Sequence, residues 1–76
     1  MIEANVFIEN SYVADVNNAV ALILTIYGWG HETIVDIRPK VGGVDMDVRF
    51  GKMLDYEIFL DDLEEIMGER VTTFMY

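Results

Sequence analysis

Ile2, Ala4, Val6 and Ile8 alternate with Glu3, Asn5, Phe7 and Glu9, the period of a strand with one buried face. Phe7 departs from the pattern as an aromatic on the polar side. After Asn10-Ser11, which read as a loop and helix N-cap, the period changes. Val16, Ala19, Val20, Ile23, Ile26 and Tyr27 form one stripe, Tyr12 and Val13 extend it, and Asn17, Asn18, Ala21 and Thr25 lie opposite. This predicts a helix over 12–27, flanked by Leu22 and Leu24, with Gly28 at its C′ position. Past the turn Gly28-Trp29-Gly30-His31, Thr33, Val35 and Ile37 alternate with Ile34, Asp36 and Arg38 in a second strand. Pro39–Gly43 reads as a hairpin connection in which Gly42-Gly43 supply permissive dihedrals. Val44, Met46, Val48 and Phe50 then alternate with Asp45, Asp47 and Arg49 in a third strand.

The stretch 55–69 holds seven acids, Asp55, Glu57, Asp61, Asp62, Glu64, Glu65 and Glu69, and no base. At about 100° per residue all of them fall on one half of a helical wheel, while Tyr56, Phe59, Leu60, Leu63, Ile66 and Met67 cluster on the other. The expected element is a helix over about 55–67 with Asp55 as N-cap, Leu54 and Phe59 as a hydrophobic staple, and Gly68 at C′. Tyr56–Leu60 alone would also suit a strand; the segregation of acids from apolar residues favours the helix. Val71–Tyr76 is strongly strand-prone. The order β-α-β-β-α-β is the split-βαβ, ferredoxin-like plan of an α+β domain: a four-stranded antiparallel sheet with two helices on one face. Its expected strand order is 4-1-3-2, with 2–9 and 44–50 central. Residues 1–76 make a single domain without repeat or linker.

The chain has 76 residues, so its core is modest, and its 53% hydrophobic content excludes disorder. No cysteine is present, which excludes disulfide staples and thiolate chemistry. The longest apolar run, Ala19–Leu24, is too short to span a bilayer, and no basic start precedes an apolar segment; a cytoplasmic protein is expected. The net charge of −9 repels nucleic acid and anionic membranes and attracts basic partners, and it also keeps a small apolar-rich domain in solution.

No catalytic constellation competes with this charge. His31, the only histidine, reads as a polar turn residue with Glu32 as its nearest carboxylate. Trp29, between two glycines, is a lid over the helix end or an exposed anchor. Asp45, Asp47 and Asp36 share a sheet face that suggests a divalent cation, but Arg38 and Arg49 project from the same face, and a salt-bridged solvated surface is the better expectation. Nucleophile motifs and phosphate loops are absent. The expectation is a non-enzyme without cofactor or metal.

The same element order is that of RNA-binding RRM modules, which stack bases on aromatics of the two central strands. Phe7 stands where one such aromatic belongs, yet the third strand offers Asp45, Asp47 and Arg49, and direct nucleic-acid binding is not expected. In size, acidity and lack of cysteine the chain resembles phage-encoded proteins that block host defence or transcription machinery, anti-CRISPR proteins among them. That resemblance implies an inhibitor or adaptor that docks its acidic helix on a basic, nucleic-acid-binding surface of a partner protein, through Asp55, Glu57, Asp61, Asp62, Glu64, Glu65 and Glu69, with Ile58 as an apolar anchor ringed by charge. The alternative is a homo-oligomeric regulatory or small-ligand domain that pairs through the open sheet face, using Phe7, Ile34, Phe74 and Tyr76. The progression Leu24–Ile37 is loosely similar to amino-acid-binding ACT domains, although the Pro-Gly element usual after their first strand is missing.

Overall fold

The computed structural model describes residues 1–76. Its elements are β1 (Ile2–Glu9), α1 (Val13–Tyr27), β2 (Ile34–Lys40), β3 (Gly43–Phe50), α2 (Met53–Met67) and β4 (Val71–Met75). The sheet order is β2-β3-β1-β4 and all three ladders are antiparallel. This is the ferredoxin-like α+β arrangement that the period changes predict. The crossover from β1 to β2 carries α1 over β3. The crossover from β3 to β4 carries α2 over β1.

The core lies between sheet and helices. Ala4, Val6 and Ile8 of β1 and Val44, Met46, Val48 and Phe50 of β3 meet Val16, Ala19, Val20 and Ile23 of α1 and Tyr56, Phe59 and Leu63 of α2. Each set repeats at the period of its own element, two on the strands and three to four on the helices. Trp29 acts as the lid over the end of α1: its ring stacks on Tyr27 at 4.4 Å and meets the edge of Phe50 at 5.7 Å. The end of the α1 stripe does not follow it inward, and Ile26 remains 65% exposed.

Both helix starts differ from expectation. Tyr12 and Lys52 occupy the N-cap positions and neither makes a side-chain capping bond. Ser11 is buried and its hydroxyl donates to the carbonyl of Glu9 at 3.1 Å, so it closes the end of β1 instead of capping α1. Only Gly51 and Lys52 separate β3 from α2. The helix therefore begins at Met53, Asp55 falls within its first turn, and Leu54 is exposed. The staple between Leu54 and Phe59 does not form. Both C-terminal glycines are in the left-handed region, Gly28 at φ 70° and Gly68 at φ 67°, where a side chain would be strained.

The second strand runs on through Pro39 to Lys40, which pairs with Gly43 across a two-residue turn. Pairing alternates along the ladder, so the proline's missing donor falls on the outward side of an edge strand, where it costs no bond. The two turn glycines serve different ends. Gly42 supplies a positive φ of 87°. Gly43 permits close approach: a Cβ there would lie 2.1 Å from the carbonyl oxygen of Ile8.

Candidate docking surface on the helical layer

The acids of α2 separate into two ridges. Tyr27, at the end of α1, donates its hydroxyl to Asp62 at 2.6 Å, which fixes the side of α2 that faces α1. Asp55 and Asp62, seven apart, lie along that side and are half-buried; Glu69, half-buried too, falls past the helix end beyond Gly68 and belongs to neither ridge. Ile58, one turn before Asp62, shares the side and is also half-buried, so it is not a fully exposed anchor at the centre of the charge. Glu57, Asp61 and Glu64 form the second ridge on the opposite flank, and they and Glu65 are exposed. The Asp62 carboxylate holds the Tyr27 phenol above its ordinary pKa, chiefly by accepting its hydrogen bond.

Between the helices runs a shallow groove lined by Asp15, Asn18, Ala19, Leu22, Ile66 and Met67. Leu22 and Ile66 are exposed within it, whereas Leu24, the other flanking leucine of α1, packs on the core. Neither α1 nor α2 contains a lysine or arginine, yet together they hold seven of the fourteen acids. All five bases lie in strands or connections. The helical layer is uniformly negative, and the sheet layer mixes both signs.

The opposite face of the sheet is organised by charge pairing. Arg38 reaches Asp45 at 2.8 Å and Asp47 at 2.5 Å. Asn5 donates to the same two carboxylates at 2.8 and 3.1 Å, and Tyr76 donates to Asp47 at 2.7 Å. These partners, Arg38 first, then Tyr76 and Asn5, pull the Asp47 carboxyl from 3.8 down to about 2. Asp36 lies opposite Asp47 in the β2–β3 register, while Arg49 pairs with Glu3 at 2.8 Å. No three His, Cys, Asp or Glu side chains converge as a metal-ligand group. His31 is exposed in its turn.

The sequence-predicted apolar residues of this face are separated by that network. Phe7 is half-buried, with Lys40 Nζ 5.4 Å from its ring centroid. Ile34 is exposed on β2, and Phe74 and Tyr76, 68% and 72% exposed, form an edge-on pair at the β4 side. The pairing of Asn5 and Tyr76 with Asp47 was not visible in the sequence. It depends on a register joining residues from three distant segments, and no local pattern encodes it.

No protein-family model and no curated protein matches the sequence. The chain is similar in structure to a de novo designed protein, Foldit4, at a TM-score of 0.60 and 13% identity, over 99% of this chain and 94% of that one. At that identity the likeness concerns the fold alone. No helix is long and apolar enough to cross a membrane.

Proposed function

We propose that this chain is a protein-binding module, an inhibitor or adaptor, whose acidic helical layer docks on a basic surface of a partner. The observation that carries this reading is the complete absence of bases from both helices beside seven acids. Carboxylates fixed on a packed helix keep their spacing, as a disordered acidic tail does not, and so can stand in for the charges of a phosphate backbone. A groove that binds nucleic acid is the surface of matching sign, and occluding such a groove is how phage-type anti-defence proteins, anti-CRISPR proteins among them, would use it. The half-buried ridge through Asp62 is partly engaged by Tyr27, so Glu57, Asp61, Glu64 and Glu65 are the acids most available to a partner.

The test is capture from native cytoplasm by wild type and by a variant with Glu57, Asp61, Glu64 and Glu65 changed to lysine. Wild type should retain a basic protein that is released at high salt and displaced by duplex DNA, and the variant should lose it at least about tenfold. Capture that is indifferent to the charge reversal would refute the reading. Self-association through the sheet face is the second reading, supported by the exposed Phe74–Tyr76 pair. Light scattering separates the two, because a mass above that of the monomer, reduced when Phe74 and Ile34 are made polar, belongs to the second alone.

A further inference from the structure

The molecule treats its two sheet edges differently. On β2, Asp36, Arg38 and Lys40 bring charge and Pro39 removes a donor, features that discourage another strand from adding. On β4, Val71-Thr72-Thr73-Phe74-Met75 carries neither charge nor proline, and its only neighbour is β1. The amide of Tyr76 donates to the carbonyl of Glu3 at 3.0 Å. Backbone groups alternate in direction along an antiparallel ladder, so Thr72 and Phe74 also turn theirs toward β1, and Val71, Thr73 and Met75 turn theirs outward.

The acids on the β4 side of the helical layer are the exposed ridge of α2. Asp62 faces α1, and Glu57, Asp61 and Glu64 lie roughly 100–160° around the helix from it at 3.6 residues per turn. Since α2 crosses from β3 to β4, the flank turned away from α1 is on the β4 side. An open row of backbone donors and acceptors therefore lies on the same side of the molecule as a row of carboxylates with no base among them.

We propose that β4 accepts an extended basic segment of a partner protein as a fifth strand. The backbone of that segment pairs with Val71, Thr73 and Met75, and its alternate lysine or arginine side chains lie on the side of Glu57, Asp61 and Glu64. Backbone pairing supplies affinity and the acids select for basic side chains. This rests on the acidic-docking reading and adds the geometry of capture. A second copy suits the edge poorly: two-fold pairing of β4 with β4 sets both α2 helices on the same side of the joined sheet, with the same carboxylates facing each other.

The probe is a short peptide alternating lysine with valine, compared with the same peptide N-methylated at alternate residues, which retains the charges and blocks one edge of hydrogen bonding. Amide exchange and titration shifts of the full chain are read by NMR. The unmodified peptide should slow exchange at Thr73 and Met75 by at least about tenfold, and the N-methylated peptide should bind at least about tenfold more weakly. Thr73→Pro, which removes an outward amide and leaves the β1 ladder intact, should weaken the unmodified peptide similarly; the N-methylated peptide tests the same bonds with the fold unaltered. Equal binding of both peptides, with shifts confined to α2, overturns strand addition and leaves the acidic-docking reading standing. Binding that is unchanged in the triple variant Glu57→Gln, Asp61→Asn, Glu64→Gln removes the role of the acids and strikes both. A wild-type dimer that Thr73→Pro converts to monomer makes the second copy the occupant and also overturns the proposal.

Discussion

Asp47 is the residue on which the sheet's open face converges. It accepts from Arg38, Tyr76 and Asn5, and its carboxyl is held at about 2 against an ordinary 3.8. A depressed pKa contributes stability that is present above the ordinary value and lost as pH falls through the folded one. Urea unfolding at a series of pH values should therefore show wild type losing stability, relative to Asp47→Asn, between about pH 4 and pH 2, with the two curves parallel above that window. A constant offset through the window would mean that the Asp47 carboxyl titrates alike in the folded and unfolded chain, and would refute its depression. On the alkaline side, Tyr76 is raised by donating to the same carboxylate; its contribution is present below its ordinary pKa of 10.0 and is lost as pH rises through the folded value.

Elements show how far the sequence could be read. Alternation located β1 and β3 and the stripes located α1 and α2, because burial is periodic and the period is set by the backbone. Helix starts were missed for a physical reason. A capping residue gains about 1 kcal/mol, less than the packing that decides where the chain must turn, and with only Gly51 and Lys52 available the helix begins before Asp55 can cap it. The missing cap of α2 is testable. Lys52→Ser should supply a side-chain acceptor to the first turn and stabilise by about 1 kcal/mol, seen as a Tm rise of about 4–8 °C in thermal unfolding. An unchanged or lower Tm would show that Lys52 is already compensated by the acids beside it. Of the candidate site, the seven acids of 55–69 were visible in the sequence. Their division into ridges was not, because the wheel shows which half of a helix is polar but not which flank meets its neighbour. Tyr27, at the far end of another element, supplies that reference.

Across the whole molecule, charge is sorted by layer, with the bases confined to sheet and connections. Like charges on one rigid layer repel through solvent, and salt screens that repulsion over a Debye length that shrinks from roughly 30 Å at 0.01 M to roughly 8 Å at physiological strength. Added sodium chloride should raise Tm across this range, and the variant Glu57→Gln, Asp61→Asn, Glu64→Gln should be more stable at low salt and less responsive. A wild-type Tm independent of salt would mean that repulsion among these acids is already negligible, and that the layer's charge carries no folding cost.

The turn at Val41-Gly42 has a further consequence, in the time domain. It closes the only ladder between consecutive strands; β1 must find β3 across a helix and a hairpin, with Ile2 opposite Phe50, and β4 must find β1 across nearly the entire chain, with Ala4 opposite Met75. Loop-closure entropy rises with separation, and non-local pairings slow folding. The topology thus ranks the ladders by sequence separation, β2–β3 lowest, β1–β3 next and β1–β4 highest, and the expected order of recruitment follows that ranking, with β4 last.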